Sequence, residues 1–219
     1  MSLVALSLVA SVMAGTGYAD DLIVTGNQTV TGMIDGNVIV LETGNARLSN
    51  VVVNGDVICL GGQVRCGTLL GGTVELITGD VLIEAGGRFS TGPIRNANIT
   101  IEGNVKADSA LNIVVRLATV FGNVKITNSG NNGASVFSGI TIQGSNVGGN
   151  VKVEDNSALL LSVNLNTVLG DVKVDNNWTY LDSITVMNND IGGNLRCVGN
   201  AGSPTISGNV VAGDIKVDN

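Results

Sequence analysis

A short motif recurs along this chain at regular intervals. It is clearest at residues 149–156 and 170–177, which read Gly-Asn-Val-Lys-Val-Glu-Asp-Asn and Gly-Asp-Val-Lys-Val-Asp-Asn-Asn. Nine copies can be anchored on the glycine of a Gly-Asn or Gly-Asp pair: Gly36, Gly55, Gly79, Gly103, Gly122, Gly149, Gly170, Gly193 and Gly213. Their spacing of 19 to 27 residues is typical of solenoid repeats, in which each copy is one coil.

Three positions of the repeat are apolar in all nine copies. They lie two before, two after and four after the glycine, as Val147, Val151 and Val153 do in one copy. Residues two apart share one face of a strand, and the β-branched bias favours strand over helix. Uneven coils favour the right-handed form. The sequence therefore predicts an all-β, single-domain, right-handed parallel β-helix (β-solenoid) of about nine coils.

A column of cations is predicted to face outward between the two later apolar positions. Acidic residues stand two positions after several of these cations, as in Lys152-x-Glu154 and Lys173-x-Asp175. The cations are Lys106, Lys125, Lys152, Lys173, Arg196 and Lys216. Stacked coils would place like charges about 4.8 Å apart, so the interleaved acids predict a solvated lattice of ion pairs.

The Asn or Asp after each anchoring glycine is predicted to lie where the chain turns a corner. Gly and Asn tolerate left-handed backbone angles, and Asx side chains bond to nearby backbone. A second set, Asn156, Asn177 and Asn200, follows three of the strands and is predicted to stack as a short amide ladder. Because the columns mix Asn with Asp, no metal site is predicted, and no cofactor is implied.

The first 19 residues differ from the rest of the chain. Residues 2–17 carry no charge, and Gly17 and Ala19 supply small residues before a cleavage point. We interpret 1–19 as a signal peptide, with an uncleaved hydrophobic cap or anchor as the alternative. The mature chain, 20–219, is then exported to the periplasm, cell surface or medium without a transmembrane span. Residues 20–35 are predicted to form an N-terminal capping coil.

The three cysteines do not make an obvious disulfide framework. Cys59 and Cys197 share one inward column but are six coils apart, too far to bond within one chain. Cys59 and Cys66 could close a small loop, or all three could be buried thiols. Because the number is odd, at least one thiol is unpaired or bonds another chain.

Charge and composition exclude several functions. The formal net charge is −7 and aromatic residues make up only 3% of the chain, so nucleic-acid binding is not expected. Histidine is absent, which excludes imidazole catalysis and histidine-metal sites. No catalytic residues are predicted.

Six residues are weak candidates for ligand binding. They combine neighbouring charges with two aromatic rings that could stack on a sugar: Lys152, Glu154, Lys173, Asp175, Trp178 and Tyr180. The alternative interpretation is that the charged residues belong to the ion-pair lattice and that the aromatic residues lie in a packed loop.

The segment 189–200, which reads Asn-Asp-Ile-Gly-Gly-Asn-Leu-Arg-Cys-Val-Gly-Asn, resembles a repeat of uncharacterised exported bacterial proteins. The Gly-Asn-Val-Lys copies at 122–126 and 149–153 are similar to the same group. The resemblance spans roughly residues 36–217 and implies a signal peptide followed by parallel β-helix coils. It implies no chemistry, and it leaves the partner of Cys197 open, because such relatives often carry a further cysteine near the C-terminus.

Three functional hypotheses follow. The first is an exported non-catalytic structural or surface-interaction protein, whose partner could be a carbohydrate or another cell-surface component. The second is a carbohydrate-active β-helix enzyme of the polysaccharide lyase or hydrolase type, which needs clustered carboxylates in a cleft. The third is a solenoid subunit that self-assembles end to end as a homo-oligomer.

Overall fold

A computed structural model of the protein describes residues 10–12, 20–67, 74–91, 98–130 and 138–218. Every strand pair in the described residues is parallel, no helix occurs among them, and the strands stack as a β-solenoid. The predicted all-β parallel β-helix is therefore confirmed, while its right hand stays a prediction.

The first wall of the solenoid is a sheet of ten strands in the described part of the chain. Nine of these strands are the predicted repeats, and the tenth lies in the predicted capping coil. The strands are Leu22–Val24, Val38–Val40, Val57–Leu60, Val81–Glu84, Val105–Asp108, Val124–Thr127, Val151–Glu154, Val172–Asp175, Leu195–Val198 and Ile215–Val217.

The second and third walls join into one larger sheet, because two long strands, Asn27–Ile34 and Asn45–Val53, run through both. The second wall continues with Gln63–Cys66, Arg88–Ser90, Asn112–Arg116, Gly139–Gln143, Leu160–Asn164, Ile184–Met187 and Thr205–Ser207. The third wall continues with Val74–Ile77, Asn98–Ile101, Ala118–Val120, Asn146–Val147, Thr167–Val168, Asp190–Ile191 and Val210–Val211.

The predicted apolar columns fill the interior between the walls. Along the first wall the pairing is in register, so that Val124, Val151 and Val172 stack directly on one another. All residues of the three columns are buried except those of the last coil, where Ile215 is 59% and Val217 41% exposed. We call the strand that one coil contributes to a wall a rung of that wall. Each inward side chain is covered by the rungs before and after its own, and no described rung lies beyond Ile215–Val217.

The predicted capping coil contributes regular structure. Its two strands, Leu22–Val24 and Asn27–Ile34, extend the first and the larger sheet respectively. A further strand, Ala10–Val12, pairs in parallel with residues 28–30. A packed loop was the alternative interpretation for Trp178 and Tyr180. Trp178–Thr179 forms a short strand beside Ser157–Ala158, and a turn follows at Tyr180. Residues 131–137, between the strands Val124–Thr127 and Gly139–Gln143, lie outside the described residues.

Candidate functional site

The predicted charged candidates on the first wall form an ion-pair network. The Lys173 ammonium contacts the Glu154 carboxylate of the preceding rung and lies 3.4 Å from Oδ2 of Asp175. The Nε of Arg196, on the following rung, donates to the same Asp175 oxygen at 2.7 Å. Hydrogen bonding to Glu154, together with the charges of both carboxylates, raises the pKa of Lys173. Three successive rungs are thus tied together by two cations and two anions.

Asp175 is the centre of this network and is only 2% exposed. Its second oxygen, Oδ1, accepts a hydrogen bond from the backbone N–H of Val198 at 3.0 Å. A buried carboxylate needs compensation of this kind, because an unpaired charge in the interior is costly. Both oxygens of Asp175 are therefore engaged in holding the fold. The residue takes part in ion pairs, as the lattice interpretation expected, but it is buried and not solvated.

Lys152 and the aromatic candidates are not part of the network. Lys152 is exposed and makes no ion pair with any described residue. Trp178 and Tyr180 form an edge-to-face pair with ring centroids 5.7 Å apart, and both side chains are exposed. No described hydrogen bond or ion pair joins these rings to the charged cluster. The six candidates therefore divide into a structural ion-pair cluster, a free lysine and an exposed aromatic pair.

The Asn/Asp column lies at a corner, as predicted, and forms a continuous hydrogen-bonded ladder that was not predicted for it. In each rung the Oδ1 accepts the backbone N–H of the corresponding residue in the next rung, as Asn104 does from Asn123 at 2.9 Å. The acceptors, in order, are Asp21, Asn37, Asp56, Asp80, Asn104, Asn123, Asn150, Asp171 and Asn194. Asp80 also pairs with Lys106 at 2.6 Å, so one lysine of the cation column bonds to the ladder instead of to an acid of its own wall.

Two further ladders of asparagine lie in buried corners. The predicted one joins Asn156, Asn177 and Asn200, and each side-chain amide also donates to a backbone carbonyl of the rung before. A second ladder, of Asn166, Asn189 and Asn209, was not predicted. The signal for it is an Asn directly after the corner residues 165, 188 and 208.

Sequence reasoning also missed an arginine cluster on the second wall. Arg47 and Arg65 are register partners on adjacent strands, and Arg88 stands opposite Gln63 on the next rung. Arg65 is exposed, and Arg47 and Arg88 are half-buried. In each strand the residues that alternate with the arginine point into the core. We name Arg47, Arg65 and Arg88 the arginine cluster.

No acidic side chain neutralises the arginine cluster. All 18 Asp and Glu residues belong to the described part of the chain, and none of them lies within ion-pair distance of these three arginines. Guanidinium groups stacked on neighbouring strands repel one another unless an anion lies between them. An otherwise acidic protein therefore presents one locally basic wall.

The surroundings of the cluster are polar and neutral. A shallow cavity of about 200 Å³ is lined by Asn27, Gln28, Thr29, Asn45, Arg47 and Arg65. Within it the side-chain amide of Asn45 donates to Oδ1 of Asn27 at 2.9 Å. Amides and hydroxyls beside fixed cations can bind a ligand that carries both hydroxyl and anionic groups.

Among the described residues, no three His, Cys, Asp or Glu side chains converge on a point where a metal ion could bind. None of the described segments is a helix of the length and apolarity that would cross a bilayer. Comparison of the chain with protein-family models, curated proteins and solved structures gave no match.

Proposed function

We propose that this chain is an exported, non-catalytic β-solenoid that binds an acidic carbohydrate polymer along its second wall. The observation that carries the proposal is the arginine cluster, whose members have no acidic partner. Export is supported by the uncharged apolar segment at the start of the sequence.

The charge pattern favours an anionic polymer over a single small anion. Arg47 and Arg65 are one rung apart, about 4.8 Å, and Arg88 lies one rung further and two residues along the strand direction. A linear chain with repeated carboxylates or sulfates can meet all three cations at once, and planar guanidinium groups bind such anions in a bidentate manner.

The neutral side chains favour carbohydrate among the polyanions. Asn27, Asn45 and Gln63 offer amide groups beside the arginines, and amides pair well with sugar hydroxyls. The described strands of the second wall contain neither Asp nor Glu, and they carry no exposed aromatic ring on which a nucleobase would stack.

The non-catalytic part rests on how the other charged groups are used. Lys173 and Arg196 both pair with Asp175, which also accepts a hydrogen bond from a backbone amide. Groups committed to neighbouring rungs in this way stabilise the solenoid and are not free to transfer protons to a substrate.

Binding of a polyuronate, a sulfated glycan and a neutral glucan tests the proposal. We expect the acidic polymers to bind, the affinity to fall with added salt, and the neutral glucan not to bind. The triple variant Arg47→Gln, Arg65→Gln, Arg88→Gln should lose at least about tenfold in affinity.

The matched control is Lys125→Gln, Lys152→Gln, Lys216→Gln, which removes the same charge from the first wall and should bind like the wild type. Equal losses in both variants would mean that net charge alone is responsible. Equally tight binding of single-stranded DNA would contradict carbohydrate as the partner. New reducing ends or unsaturated products, with calcium present, would contradict the non-catalytic assignment.

A further inference from the structure

The outer surface of the third wall alternates between large apolar side chains and smaller residues, mostly glycine, over four successive rungs. The residues at the centre of each rung, Thr119, Asn146, Thr167 and Asp190, stack in register. Two rungs carry a large residue on each side of the centre, Leu117 with Phe121 and Leu165 with Leu169, and we name these pairs the ridges. The rungs between and after them carry Gly144 with Gly148 and Asn188 with Gly192, which we name the slots.

The ridges are strongly exposed. Phe121 is 62%, Leu165 56% and Leu169 68% exposed. An almost wholly apolar groove of about 300 Å³ lies between Phe121 and Leu169, with Gly148 beneath it. Contiguous apolar surface of this kind on a soluble protein marks an interaction site.

The backbone keeps the slots open. A Cβ atom at Gly148 would lie 2.4 Å from the carbonyl oxygen of Phe121, and one at Gly192 would lie 2.5 Å from that of Leu169. No other residue fits at either position without moving the chain. The Gly148 and Gly192 sides of the slots are therefore fixed features of the surface, at the same rung spacing as Phe121 and Leu169.

Two ridge leucines occupy an unfavourable backbone conformation. Leu117 has φ 52° and Leu165 has φ 59°, in the left-handed region where Gly and Asn are preferred. The corresponding corners of other rungs have Gly144, Asn188 and Gly208. Leu117 is 43% and Leu165 56% exposed, so each combines an unfavourable backbone angle with incomplete burial. Such conflicts mark functional positions.

We propose that this face packs against the same face of a second copy of the chain. The two-fold axis would lie between the rungs of Asn146 and Thr167 and run parallel to the strands. The rung order of one copy then meets the reversed order of the other. Leu169 then enters the groove over Gly148, and Phe121 meets Gly192. Leu165 packs on Leu117, whose side chain covers Gly144, and Leu117 meets Asn188.

The same operation pairs the polar centres of the rungs. Thr167 faces Asn146, and Thr119 faces Asp190, so each hydroxyl meets an acceptor. Asp190 is the charged residue at the centre of these four rungs, and its symmetry mate is three rungs away, about 14 Å. That separation exceeds the Debye length of about 8 Å at physiological salt, so the two carboxylates repel only weakly.

The expected dimer is weak and reversible. Six rungs of each copy can overlap, which gives a contact face about 29 Å long. Each rung contributes five residues along the strand, so the face is about 16 Å wide. Two copies would cover about 900 Å², just below the size of most stable interfaces. Dimerisation should therefore depend strongly on protein concentration.

Sedimentation velocity over a wide concentration range tests the proposal with the full chain. The wild type should shift from monomer towards dimer, and the Leu117→Asn, Leu165→Asn variant should remain monomeric. Asn is favoured at both backbone angles, so this variant should melt at the same or a higher temperature. The control Leu181→Asn removes a leucine that is 60% exposed elsewhere and should dimerise normally. Unchanged dimerisation of the double variant, or a wild type that stays monomeric at every concentration, overturns the proposal.

Cross-linking tests the symmetry independently. In a Thr119→Cys, Asp190→Cys variant, the two new thiols are three rungs apart in one chain but face each other between copies. A short thiol-reactive cross-linker should give a covalent dimer, whereas Thr119→Cys alone should not. A covalent dimer from Thr119→Cys alone, or none from the double variant, contradicts the proposed axis.

Discussion

The side-chain oxygen of Asn177 accepts two hydrogen bonds from Asn156, one from its backbone N–H at 3.1 Å and one from its side-chain amide at 2.8 Å. Asn177 in turn donates to the carbonyl of Val153 and to Oδ1 of Asn200. A single buried side chain therefore bonds to the rungs before and after its own, at a corner where the N–H of Asn156 donates to a side chain instead of to a neighbouring strand. This relationship explains how a narrow solenoid can place amides inside its corners, since each one is fully bonded.

Replacing Asn177 by Ala should lower the free energy of unfolding by about 2 to 4 kcal/mol, because the amides of Asn156 and the Oδ1 of Asn200 lose partners away from water. Urea denaturation measures the loss. The control is Asn123→Ala, since Asn123 makes the same kinds of bonds in the exposed ladder. Water can replace those bonds, so the control should lose less than about 1 kcal/mol. Equal losses at the two positions would contradict the role of burial.

Replacing Asp175 by Asn should destabilise the protein by about 2 to 3 kcal/mol. The variant keeps an acceptor for the N–H of Val198 but removes the charge that pairs with Arg196 and Lys173. Lys152→Gln, which changes an exposed lysine of the same column, should leave stability within experimental error. An Asp175→Asn variant as stable as the wild type would mean that the buried ion pairs contribute nothing net.

The loss of folding stability at low pH should depend on Asp80 and Asp108. Burial of Asp80 opposes its ionisation, but hydrogen bonds from Lys106 and Asn104 outweigh this and hold its pKa below the ordinary 3.8. The pKa of Asp108 is lowered mainly by a hydrogen bond from Asn128. A depressed folded-state pKa stabilises the protein above 3.8, and that contribution is lost as the pH falls through the folded value.

Unfolding in urea between pH 6 and pH 2 should therefore show a loss of stability below about pH 4. The Asp80→Asn, Asp108→Asn variant should lose less stability over the same interval, because it has two fewer carboxylates to protonate. If the free energy of unfolding falls equally steeply with pH in variant and wild type, other groups cause the loss of stability in acid.

The regular part of the fold could be predicted because it repeats at a fixed offset from a glycine. Val151 and Val153 follow Gly149 by two and four residues, and their equivalents do so in every copy. Register in a parallel sheet then stacks like on like, so one column in sequence becomes one buried column in the structure. The predicted amide ladder follows from the same constancy, since Asn156 and Asn177 both end first-wall strands.

The arginine cluster could not be found in this way, because corner length varies. Arg47 follows its anchoring glycine by 11 residues, Arg65 by 10 and Arg88 by 9. These offsets do not form a column in the sequence, although sheet pairing brings the residues onto one wall. The ridges of the third wall were not hidden in this way, because Leu117 and Leu165 each stand five residues before an anchoring glycine. That column changes residue type from copy to copy, so it gives no constant apolar or polar pattern in the sequence.

The three cysteines should behave as buried thiols. All are free and buried, so the alternative of a Cys59–Cys66 loop is not the one found. Burial raises the pKa of Cys59 and of Cys197 to about 11 in each case, and it raises the pKa of Cys66 as well. Since the thiolate is the reactive form, a thiol reagent at pH 8 should label the folded protein only as fast as it opens. Three thiols should react at once in denaturant, and the exposed thiol of a Ser203→Cys variant should react at once in the folded state. Native labelling as fast as in that variant would mean that the interior columns are accessible to solvent.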